Sequence, residues 1–120
     1  MSEEIELAWA AGFLDGEGNF RSGHGIQRGK YLRVYLNFSA CQVPREPLDR
    51  LAAVLGGSVT GPYYSKQANK QPYYKWQMTK YSDCKKTMFR LLPYVCSVKR
   101  EQMLRAWSDF MEFQAQRKGF

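Results

Sequence analysis

Two carboxylates separated by a single glycine, Asp15 and Glu17, close an apolar stretch at residues 7–14, LAWAAGFL. Carboxylate oxygens are ligands for hard divalent cations, so the first question is what brings them to one place. The preceding residues read as a helix. Ser2 is a suitable N-cap, and Glu3, Glu4 and Glu6 put negative charge in the first turn, where the helix dipole favours it. Gly16 and Gly18 end the helix, which leaves both acids at the end where anions are least favoured. Taken alone, the D-G-E-G run also fits an ordinary solvated turn. The helix before it argues for more. Ala8, Ala11 and Gly12 form a face of small residues on which a second helix can approach closely. Ile5, Trp9, Phe13 and Leu14 fill the remaining arc, so burial nearly all round is expected, part of it by a second copy of the chain. Such a dimer would bring two sets of acids together. A shared divalent cation such as Mg²⁺ would relieve their repulsion.

The rest of the chemical inventory narrows the choice. His24 is the only histidine, which excludes a histidine metal cage and disfavours a histidine-activated nucleophile. Cys41, Cys84 and Cys96 are too widely spaced for a zinc knuckle or redox pair and read as reduced core or boundary residues. There is no phosphate-binding glycine loop and no dinucleotide fingerprint. Carboxylates, amides and lysines remain. The 120 residues, 44% hydrophobic and 15% aromatic, suit one globular domain, residues 1–120. Eighteen Lys and Arg against eleven Asp and Glu give a net charge of +7, which points to a polyanionic partner. No run reaches the ~20 apolar residues that span a bilayer, and no signal segment opens the chain. A soluble, intracellular protein with no membrane partner is expected.

The elements that must position these residues follow from periodicity. Residues 31–42, YLRVYLNFSACQ, alternate strictly: Leu32, Val34, Leu36 and Phe38 on one face, Arg33, Tyr35, Asn37 and Ser39 on the other. Residues 19–28 form the hairpin partner through a turn at Gly29. No acid occurs from 19 to 44, as a phosphate-lined surface requires, and Arg, Asn, Gln and Ser are the side chains that read base edges in the major groove. The candidate DNA-contacting residues of this hairpin are Arg21, Ser22, His24, Gln27, Arg28, Lys30, Arg33, Tyr35, Asn37 and Ser39. A helix begins near Pro44, with Leu48, Leu51, Ala52 and Leu55 on one face and Gly56-Gly57 ending it. A second hairpin follows, residues 58–64 and 72–79, joined by an acid-free connection. It adds Lys66, Asn69, Lys70, Lys75 and Gln77 to the candidate contacts. Helical segments at 82–92 and 98–116 close the chain, the latter presenting Met103, Leu104, Trp107, Phe110 and Met111 as core. The whole is α+β, αββαββα, with the hairpins joined into one four-stranded antiparallel saddle and the helices on one face.

Residues 10–18, AAGFLDGEG, resemble the nine-residue signature of the LAGLIDADG homing endonucleases, with alanine for the first leucine and glutamate as the second acid. The segment ending at Gln42 and the segment from Leu92 through Lys99 are similar to further stretches of that family. The resemblance implies a homodimer through the first helix, with Ala8, Ala11, Gly12 and Asp15 at the interface. It implies a Mg²⁺-dependent endonuclease that cuts a long, near-palindromic duplex. Glu17 and the Gly16 carbonyl would be the metal ligands. Gln42 and Lys99, with Arg45 more weakly matched, would stand at the scissile phosphate. The same surface would also suit a cleavage-inactive DNA-binding regulator or, less readily, an RNA-binding splicing factor.

Overall fold

The computed structural model describes residues 2–27, 29, 31–66 and 71–118. The elements run α1 (Glu3–Glu17), β1 (Gly18–Gln27), β2 (Tyr31–Gln42), α2 (Glu46–Leu55), β3 (Ser58–Tyr63), β4 (Tyr73–Met78), α3 (Tyr81–Leu91) and α4 (Ser97–Lys118). The four strands form one antiparallel sheet in the order β1-β2-β4-β3, so the two hairpins meet through β2 and β4. Two helices follow the second hairpin, close to the helical segments expected at 82–92 and 98–116.

Parity along the strands sets the faces. Phe20 pairs with Phe38, which pairs in turn with Met78, and Ala40 pairs with Trp76; all five are buried on the helix side. Against them pack Leu7, Ala10, Ala11 and Leu14 of α1, Leu48, Leu51 and Leu55 of α2, Met88 and Leu91 of α3, and Met103, Ala106 and Phe110 of α4. One contiguous core results. The other face carries Arg21 opposite Asn37, Ser39 opposite Gln77 and Cys41 opposite Lys75.

Local chemistry explains the ends of the elements. Ser2 Oγ accepts the Ile5 N–H at 3.3 Å, the expected N-cap. The Gly56 carbonyl, at the end of α2, accepts the Trp76 indole N–H at 2.8 Å. Gly57 has φ +87, and a Cβ there would come within 2.7 Å of that indole nitrogen, so this turn admits only glycine. On α1, Glu6 receives two hydrogen bonds from the Arg50 guanidinium, at 3.1 and 3.2 Å, while that group lies 4.0 Å from the Trp9 ring centroid. These contacts fasten α1 to α2. Among the described residues, no helix is long and apolar enough to cross a membrane.

Two expectations about packing need correction. Leu104 and Met111 are 42% and 45% exposed, because α4 docks through Met103, Ala106 and Phe110 and the two side chains point past that stripe. Ala11 is fully buried in the protomer's own core, so the exposed small residues of α1 are Ala8, Gly12 and Gly16, successive residues four apart. Ideal Cβ atoms on Gly12 and Gly16 would meet nothing within 4 Å.

Candidate nucleic-acid interface and active site

Charge is segregated by element. All eleven acids lie on helices, where nine Lys and Arg accompany them; among the described residues, strands and connections carry six more Lys and Arg and no acid. The acid-free share includes Arg21, Arg33 and Lys75 on the open side of the sheet and the exposed Lys66 beyond β3. Tyr35 reaches across to β1: a Cβ on Gly23 would collide with its hydroxyl oxygen, so glycine there makes the ring's position possible. Because β4 pairs only with residues 38–42 of β2, the earlier half of β2 has a free edge. A cleft of about 880 Å³ opens there, lined in part by Arg21, Arg33, Tyr35, Asn37 and Gln77. Asn37 Oδ1 is buried with no hydrogen-bond partner among the described residues.

Several candidate contacts fall elsewhere. Ser22 and His24 share the parity of Phe20 and lie on the helix side; the exposed His24 nevertheless lines the same cleft, its ring 4.0 Å from that of Phe113 of α4. Past Phe20, β1 has no apolar alternation by which its faces can be read. Ser39 is on the open side but only 6% exposed, flanked in register by Asn19 and Gln77. The Gln27 side chain and the whole of Arg28, Lys30, Asn69 and Lys70 lie outside the described residues.

At the other end of β1 the chain is drawn together. The Gly18 N–H donates to the Leu14 carbonyl and ends α1, and a Cβ on Gly18 would approach that carbonyl oxygen to 2.7 Å. The Glu17 carboxylate is exposed, and no hydrogen bond or ion pair among the described residues engages it. The Gly16 carbonyl is one of the last in the helix, where intrahelical donors run out. Gly18 pairs with Ala40, so β2 overruns the start of β1 by two residues and ends on half-buried Gln42. From the far end of the sequence, Lys99 Nζ donates to the Gly18 carbonyl at 2.6 Å, and Asp15 Oδ1 accepts the Cys96 N–H at 2.9 Å. Lys99 thus reaches the residue that follows Glu17, while Gln42 lies at the end of β2, paired with Tyr74 of β4. Arg45 is engaged otherwise: its guanidinium meets Asp49 at 3.1 Å and lies 5.6 Å from the Tyr74 ring centroid.

An exposed carboxylate beside a carbonyl at a helix end is a donor pair suited to a hard cation. It is also incomplete, since the described residues hold no group of three or more His, Cys, Asp or Glu able to cage a metal ion.

The arrangement of helices and sheet is shared with solved structures. The I-CvuI homing endonuclease, in complex with its DNA target, superposes with a TM-score of 0.67 over 84% of this chain, at 23% identity. The archaeal intron-encoded homing endonuclease I-Vdi141I, complexed with DNA, does so with a TM-score of 0.64 over 98%, at 22% identity. The chain has the fold of the LAGLIDADG homing endonucleases. I-SmaMI, a LAGLIDADG homing endonuclease bound to cleaved DNA, matches over 92% of this chain with a TM-score of 0.68 and 20% identity. The chain spans 62% of the length of I-CvuI, 70% of I-Vdi141I and 37% of I-SmaMI. No family model matches the sequence, and no curated protein does. A LAGLIDADG fold accounts for the motif's position: the helix that carries it ends where β1, β2 and α4 meet.

Proposed function

We propose that this chain is a divalent-metal-dependent, sequence-specific DNA endonuclease that acts as a homodimer. The observation that carries the reading is the meeting of Glu17, the Gly18 junction and Lys99 at the end of α1, next to a sheet face without acids. Double-stranded DNA fits that face electrostatically, and the two-stranded ribbon of β1 and β2, bearing Arg21, Arg33 and Asn37 with Gln77 of β4 beside it, can enter a major groove.

Dimerisation follows from what α1 leaves uncovered. Ala8, Gly12 and Gly16 are exposed along one line, with Ile5 56% exposed beside them. Small residues at this spacing let two helix backbones approach closely, and the approach would set two Glu17 carboxylates side by side. That complements the incomplete donor set of one protomer. Glu17 and the Gly16 carbonyl would hold Mg²⁺, which when bound stabilises charge on phosphate oxygens and lowers the pKa of a coordinated water. Lys99 supplies a fixed positive charge at the same junction, suited to the charge that develops on the phosphate. Gln42, an amide with both donor and acceptor atoms, orients water there. Asp15 is committed within its own chain and contributes no ligand.

Glu17→Gln is the direct test. It keeps shape and removes charge, so duplex binding with Ca²⁺ should persist while Mg²⁺-dependent cleavage falls on the order of 10³-fold. Unchanged cleavage would remove Glu17 from the site. Binding by the parent with no cleavage under any divalent cation would leave a DNA-binding protein in place of an endonuclease.

A further inference from the structure

The start of α4 has no cap of its own. Cys96 holds the N-cap position, its carbonyl accepting the Arg100 N–H at 2.9 Å. Its sulfur is a weak acceptor compared with the oxygens usual at that place. Three residues on, a Glu or Gln would reach back to the N-cap N–H in a capping box. The chain has Lys99 there, which can only donate.

The missing carboxylate comes from α1. Asp15 Oδ1 accepts the Cys96 N–H, and its charge lies at the positive end of a 22-residue helix. Three residues further along both segments, Lys99 Nζ reaches the Gly18 carbonyl. Asp15 to Gly18 and Cys96 to Lys99 are equal steps, so the two bonds are rungs of one ladder between the end of α1 and the start of α4.

We propose that Asp15 is a positioning residue for Lys99. Lysine at the third position of α4 removes the local capping carboxylate, and Asp15 replaces it from another helix, fixing the first turn of α4 and with it the reach of the ammonium group. The expected consequence for cleavage rests on the endonuclease reading; the clamp itself does not. This assignment differs from one at the dimer interface, because Asp15 acts here within its own chain.

Three variants test it: Asp15→Ala, Asp15→Asn, and Asp15→Ala combined with Cys96→Asp. In Asp15→Ala the single-turnover cleavage rate should fall roughly 10²-fold, the effect of about 1 Å of misplacement. DNA affinity in Ca²⁺ and the sedimenting mass should stay at parental values. Asp15→Asn keeps an oxygen acceptor and should retain most of the rate. Cys96→Asp gives α4 an N-cap of its own and should recover at least tenfold of what Asp15→Ala loses. Parental cleavage by Asp15→Ala overturns the proposal. So does a loss accompanied by dissociation to monomers, or one that neither Asn nor Cys96→Asp relieves. If the parent itself cuts no DNA, the endonuclease reading fails and amide exchange decides the clamp. A Cys96 amide that exchanges roughly tenfold faster in Asp15→Ala than in the parent supports it, and equal exchange overturns it.

Discussion

The two ends of α1 are both fastened by charged groups, and they are fastened differently. Near the start, Glu6 and Arg50 satisfy each other directly over the Trp9 ring, and Glu3 meets Arg90 at 3.2 Å. Near the end, each charge is given a neutral partner: Asp15 holds a backbone N–H and Lys99 a backbone carbonyl. Glu17, between Asp15 and Gly18 in sequence, has none among the described residues. Opposite charges that cancel join two helices and leave nothing over. Charges tied to the backbone are held in place with their fields intact, which is what a site acting on a phosphodiester needs.

Substitutions at the two ends should therefore separate chemistry from stability. The largest effect is expected at the far end. Lys99→Met should lower cleavage roughly 10²-fold while the melting temperature moves by only about 4 °C, as loss of one partly buried hydrogen bond allows. A comparable fall in DNA affinity would instead make Lys99 a general contact to the duplex. At the near end, Arg50→Ala removes the cation–π contact and should cost about 1 kcal/mol, read in a denaturant titration, with the cleavage rate unaltered. A cleavage defect from Arg50→Ala would show that the two ends are not independent.

The smallest effect is in pH. The hydrogen bonds from Arg50 hold the Glu6 carboxyl below its ordinary pKa. A carboxyl depressed on folding contributes stability above its unfolded pKa and loses it as pH falls through the folded value. Parent and Glu6→Gln should thus differ in melting temperature at neutral pH and converge in acid, below the ordinary carboxylate range. A constant difference across that window would mean that Glu6 acts by packing and not by charge.

Much of this was legible in the residues. The β2 alternation, the Ser2 cap and the Gly56-Gly57 stop are local signals, and the observed elements follow them closely. Glu17 at the end of an apolar helix was also local. The faces of β1 were not, because Ser22 and His24 are polar residues on the helix side, and the ring that meets His24 belongs to Phe113, distant in sequence. Nor was Asp15's partner: a carboxylate beside glycines does not announce a backbone N–H eighty-one residues away. The signal that pointed there was negative, a helix opening on Cys96 with lysine where a capping acid belongs. Ala11 was misplaced for a related reason, since helical spacing groups small residues without saying which of them the protomer's own core will take.

The central claim is that this junction cuts DNA, and the most direct measurement is cleavage of a large randomised duplex library in Mg²⁺ with sequencing of the ends, Glu17→Gln run in parallel. The account predicts ends at two-fold-symmetric sequences for the parent and none for the variant. Ends that appear equally with Glu17→Gln, or none with the parent at any divalent cation concentration, would contradict it.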